Sequence, residues 1–227
     1  MKPEGPFAIP MAWLGGAHLA HVVSVEDKEN LSRVQVTIIA PDADDKARLW
    51  ARVAVPFAGD NYGAFFIPDV GEEVLVVFLG GDPRFPVVIG SLWNGKTGIP
   101  EQIGGKSVDR WTLTGRAGTR IAIVEEESGQ EKVEIETPGG VTATLTDAQG
   151  GSITFEAAGN TLTMDTQGVS IQTGGKFSVD ASQINMSAGQ TKVDSAMATF
   201  TNTVKCETLI LTTTVSSTYT PGAGNIW

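Results

Sequence analysis

Gly90-Ser91-Leu92-Trp93-Asn94-Gly95-Lys96-Thr97 matches, letter for letter, the G-x-x-x-x-G-K-[ST] loop that cradles phosphates. That chemistry needs a helix starting at the lysine, so that its first amides and its dipole face the anion. Gly98-Ile99-Pro100 follows at once and no helical pattern begins, so the stretch reads as a loop leaving a strand. His18 and His21 have His-x-x-His spacing. On a strand, positions i and i+3 point to opposite faces, so one metal could not use both. Asp42, Asp44 and Asp45 lack the glycine turn and distal glutamate of a calcium loop, and Glu125-Glu126-Glu127 runs into a Ser128-Gly129 turn; both read as solvated acidic loops. No Gly-x-Ser-x-Gly is present. The single cysteine, Cys206, has no histidine near it in sequence and reads as a small buried thiol in a strand. No catalytic residue, cofactor site or metal site is assigned, and the chain is expected not to be an enzyme.

The elements around these residues are strands. No long segment places apolar residues at i, i+3, i+4 and i+7. His18–Val25, Arg33–Ile38, Leu49–Val55, Glu73–Leu79 and Pro86–Gly90 read as five strands joined by Gly, Pro and Asp turns, which suggests a small barrel of the OB type. Glu73–Leu79 is almost wholly apolar and is expected to be buried on both faces. From about Thr161 the chain turns to Thr, Ser, Gln and Gly. Short apolar alternations then recur at 162, 169, 177, 184, 193 and 200, the mark of a solenoid with one strand per repeat.

Each of those strands offers two or three apolar side chains on one face. Ordering a residue costs about 1–2 kcal/mol of backbone entropy, against about 25 cal/mol per Å² of apolar burial. A single ribbon cannot enclose a core on those terms, so its thin apolar face must meet other copies. Three chains around one axis, with Ser, Thr and Asp outside, would do this and would also pair the strand edges.

The charge is −10 at pH 7, spread as −4 over residues 1–100 and −6 over 101–227. Without a basic block, nucleic-acid and anionic-membrane binding are disfavoured. Phe7–Ala20 is mildly apolar, but Pro6 and Pro10 interrupt it, so it is not read as a signal peptide.

The run Val55-Pro56-Phe57-Ala58-Gly59-Asp60-Asn61-Tyr62-Gly63 through Ile67-Pro68-Asp69-Val70-Gly71-Glu72-Glu73-Val74 resembles the OB-domain signature of the phage baseplate assembly protein V and tail spike family. Gly81-Asp82-Pro83-Arg84-Phe85-Pro86 with the exit Gly90-Ser91-Leu92-Trp93-Asn94 is its most specific part. Thr119–Ile123 and Glu131–Gly140 resemble the strands that lead such spikes into a trimeric β-helix. The resemblance implies an all-β fold: a five-stranded OB barrel followed by an intertwined triple-stranded β-helix. Its expected divisions are an N-terminal arm (1–16), the barrel (17–98), transition strands (99–140), the helix (141–218) and a tip (219–227). It also implies a homotrimer that docks in the tail hub through the OB domain and pierces the target cell envelope. Such a spike would be made in the bacterial cytoplasm and carried in a virion or injection particle. Residues 1–16 are too few for the hub domain that type VI spikes fuse ahead of the barrel. No lysozyme-like insertion separates barrel from helix. The His-x-His iron tip of some relatives is not carried over, because both histidines lie at the other end. Tyr219, Pro221, Asn225, Ile226 and Trp227 are the candidate seat for a PAAR-type tip protein.

Three other readings compete. Trp50, Phe57, Tyr62, Phe65, Phe66 and Trp93 would suit an OB protein that stacks single-stranded nucleic acid. An envelope-polysaccharide-degrading enzyme would need paired acids in an aromatic cleft. A receptor-binding fibre would end in a folded head.

Overall fold

The computed structural model describes residues 15–39, 47–213 and 215. Asp42, Asp44 and Asp45, the N-terminal arm up to residue 14, and the candidate tip residues Tyr219, Pro221, Asn225, Ile226 and Trp227 lie outside the described residues.

Strands β1 (Ala17–Ser24), β2 (Val34–Ile38) and β3 (Arg48–Val53) are followed by the two-residue arms β4 (Ala58–Gly59) and β5 (Tyr62–Gly63). Then come β6 (Glu73–Phe78) and β7 (Pro86–Leu92). β1, β2, β3, β7 and β6 close into a barrel in that order, with β3 and β7 parallel and β1 pairing back onto β6. All five expected strands are present within a few residues of their expected ends.

Alternation explains the barrel. Ala20 and Val22, Val34 and Val36, Ala51, Val74, Val76 and Phe78, and Val88 point inward and are buried. Small, branched side chains suit a tight interior and favour strands by their stiff χ1. The expectation that β6 is buried on both faces needs correction: Val74, Val76 and Phe78 are buried, but Leu75 and Val77 face outward and are half-buried. Nothing in the described chain covers the outside of the barrel as helices cover a parallel sheet. Between β1 and β2, Asp27 accepts the backbone amides of Glu29, Leu31 and Arg33 at 3.1, 3.0 and 3.3 Å. It also takes the Arg33 guanidinium at 2.7 and 3.0 Å. That knot holds a turn in which Asn30 and Ser32 have positive φ. Gly71, at φ +92°, turns the chain into β6 and donates its amide to the Val22 carbonyl at 2.9 Å.

Beyond the barrel lie β8 (Arg110–Thr114), β9 (Arg120–Val124), β10 (Lys132–Glu136), β11 (Thr142–Thr146), β12 (Ser152–Ala157), β13 (Asn160–Asp165) and β14 (Gly168–Gln172). They form one antiparallel seven-stranded meander in chain order. The sheet runs without a break across residue 140, where the sequence reading divides transition strands from helix. One strand per short repeat holds to Gln172, but the repeats are hairpins.

The described residues from Phe177 onward belong to a second unit. Its described residues, 177–213 and 215, contain no strand. The alternating segments expected at 177, 184, 193 and 200 are therefore not strands in the single chain. A strand exists only through a neighbour's hydrogen bonds, and these segments have no such neighbour among the described residues. Phe177, Ile184, Met186, Val193 and Phe200 are all exposed.

Candidate self-association surface

Register builds the sheet's two faces. Trp111, Ile123, Val133, Leu145, Ile153, Met164 and Val169 are partners from strand to strand across β8 to β14. Leu113, Ile121, Ile135, Ala143, Phe155, Leu162 and Ile171 form a second such row two residues away. The rows share one face because strand side chains alternate with period two. A one-residue slip anywhere would throw a whole strand's apolar set to the other side, so the pattern pins the register.

These rows are open. Trp111 is 53% exposed, Ile135 43% and Phe155 45%. The row from Ile123 to Met164 lines an open groove that ends at Asp147, Gly150 and Thr166. A contiguous aliphatic and aromatic face of this extent exceeds what monomeric proteins leave to water.

The opposite face is polar. Thr112, Ala122, Glu134, Thr144, Thr154, Thr163 and Ser170 form one of its rows. Ala122 and Val124, on this side, are the only fully buried hydrophobic residues of the sheet among the described residues. A charge network ties the segment between barrel and sheet to this face. Glu101 accepts from Arg120 at 2.7 Å and lies 3.5 Å from the Arg110 guanidinium. Arg120 also donates to Glu134 at 2.9 Å, and Lys132 pairs with Glu134 at 2.7 Å. Arg110 further engages Asp109 and Glu126. The Arg120 hydrogen bond holds the Glu101 carboxyl below the usual range against the opposing effect of burial. Lys132, with help from Arg120, does the same for Glu134. Arg116, in the β8–β9 turn, bonds Asp69 of the barrel.

The residues singled out for chemistry are not brought together. Gly90, Ser91 and Leu92 belong to β7 itself, Gly95 turns with φ +77°, and no helix begins at Lys96. The phosphate-loop match is a strand and its exit. His18 is half-buried on the inner side of β1, its ring 5.4 Å from that of Phe78, whereas His21 is exposed on the outer side. Cys206 is exposed in the single chain, contrary to the buried thiol expected from its strand-like context, because no strand forms there. Among the described residues no three His, Cys, Asp or Glu side chains gather as a metal group would require. Among the described residues no helix is long and apolar enough to cross a membrane.

A closed five-stranded barrel carrying a sheet with one open apolar face defines a class: an OB-headed, self-associating β protein. The comparisons agree with both parts. Residues 18–93 match the type VI secretion system/phage-baseplate injector OB domain, and residues 132–198 match the phage baseplate V C-terminal trimerisation domain. The chain thus carries two regions similar to phage baseplate V domains, an injector OB domain and a C-terminal trimerisation domain. It is similar to the type VI secretion system spike protein VgrG4b of Pseudomonas aeruginosa, at 38% identity over 40% of this chain and 12% of the relative. VgrG5 of the same organism is 37% identical over the same shares. VgrG3 of Vibrio cholerae is 31% identical over 52% of this chain and 13% of the relative. The match thus spans about an eighth of the length of these relatives.

The sequence reading does not include β8, whose Trp111 and Leu113 alternate but whose strand opens on an arginine beside the aromatic.

Proposed function

We propose that the chain is the structural central spike of a phage tail baseplate or related contractile injection system. In this reading it acts as a homotrimer by docking and mechanics rather than by catalysis. The observation that carries this is the pair of apolar rows on β8–β14, left open on a sheet that matches a trimerisation domain from β10 onward. Three copies would cover each other's rows, and the unpaired segment 177–213 would find its strand neighbours in the other two chains. The barrel, at 17–98, would seat in the tail hub. Residues 99–140 would lead into the interleaved part at 141–218, and 219–227 would form the tip. Tyr219, Pro221, Asn225, Ile226 and Trp227 would seat a PAAR-type tip protein there. The intact spike would cross the envelope ahead of the tube. Such a protein is made in the bacterial cytoplasm and carried in the particle.

Purified contractile particles from the source cell test this. Quantitative mass spectrometry should find the chain at three copies per particle, at the baseplate end by antibody labelling. Its absence from intact particles, or turnover of peptidoglycan or polysaccharide by the pure protein, would count against it.

A further inference from the structure

The barrel has two unlike flanks. On the outside of β1, β6 and β7, Leu19 stands beside Leu75 in register, and Val77 beside Val87, with Ile89 next along β7. Leu19 is 42% and Ile89 46% exposed, and Leu75, Val77 and Val87 are half-buried. These are the outward residues of strands whose alternate positions, Ala20, Val76 and Val88, fill the core. On the outside of β2 and β3 the same positions hold Gln35, Arg48, Trp50 and Arg52. Trp50 lies under the Arg33 guanidinium, 5.7 Å from it, and Arg48 and Arg52 are exposed.

We infer that the β1–β6–β7 flank packs against the barrels of the neighbouring copies around the trimer axis, with the Arg48–Arg52 flank turned to solvent. The inference rests on the trimeric reading above and adds the orientation of the barrel within it. Two observations favour a second copy as the occupant. Exposed apolar residues continue along the chain from this flank into the associating sheet: Leu92, Trp93, Ile99, Ile103, Val108 and then Trp111. The Glu101 network and the Asp69–Arg116 pair also hold barrel and sheet together. Trimerised sheets would therefore keep three barrels at an effective concentration on the order of millimolar, where a modest apolar flank suffices for contact. A patch of aliphatics on three neighbouring strands is what a head-to-tail ring of three would bury, residue against non-identical residue.

Full-length protein with Cys206→Ser supplies a background for single spin labels at Ile89→Cys, at Leu19→Cys as an independent reporter of the same flank, and at Arg52→Cys. All three sites are exposed, so the barrel tolerates them. Pulsed dipolar spectroscopy on the trimer should give shorter inter-label distances from positions 89 and 19 than from 52. Distances at 89 and 19 equal to or longer than those at 52 overturn the inference. That result would leave the flank to the segment preceding β1 or to a hub protein. A monomeric mass for the labelled, folded chain overturns the trimeric reading instead.

Discussion

Glu101 is the residue through which the barrel's exit segment is fastened to the sheet. One carboxylate meets the guanidinium groups of two neighbouring strands, Arg110 and Arg120, and Arg120 passes the contact on to Glu134. Glu101→Gln keeps the shape and removes the charge. Trypsin should then cut the full-length protein after the exposed Lys106 faster than in the parent, while far-ultraviolet circular dichroism stays unchanged. The same residues set an acid dependence. Glu101 and Glu134 have lowered folded values, so their contribution is present above the ordinary glutamate value of about 4.3 and is lost as pH falls through the folded values. Thermal midpoints should therefore drop as the solution is taken below about pH 4.3, and Glu101→Gln should flatten that slope.

The sheet's two faces differ enough for one substitution on each to separate association from folding. Ile135→Glu places a charge in the middle of the apolar row between Ile121 and Ala143. It should abolish the oligomer seen by light scattering. Thr163→Glu, on the polar face between Thr154 and Ser170, should leave it intact. In the barrel, Phe78→Ala removes the largest inward side chain and should cost about 3–5 kcal/mol in chemical denaturation. These elements were legible to different degrees. The barrel strands could be read from alternation plus turn residues, because each fold of the chain supplies its own neighbours. In the β8–β14 meander, β9 and β10 are legible as lead-in strands and β13 and β14 as the start of a repeat, whereas β8 is not, since Trp111 beside Arg110 carries weak alternation. The strands expected from Phe177 onward do not form in one chain. Their pattern specifies a face, but no strand among the described residues pairs with them. The Glu101 network is not legible in sequence because its central links, Glu101 to Arg120 and Arg120 to Glu134, join residues 19 and 14 apart whose only shared feature is charge.

At the scale of the whole molecule, half-made structure is the consistent theme: open apolar rows on β8–β14, unpaired alternation in 177–213, and an apolar barrel flank. A chain of this kind completes its fold by assembling. Refolding from denaturant should be slow and should speed up with chain concentration, while unfolding of the assembled form should be far slower than for a small monomeric barrel. The most direct measurement is the mass of the purified full-length protein by native mass spectrometry. Three copies of 23.9 kDa, about 72 kDa, with no monomer at micromolar concentration, is the predicted result. A folded 23.9 kDa monomer would contradict the account, because it would leave both apolar rows in water with nothing to cover them.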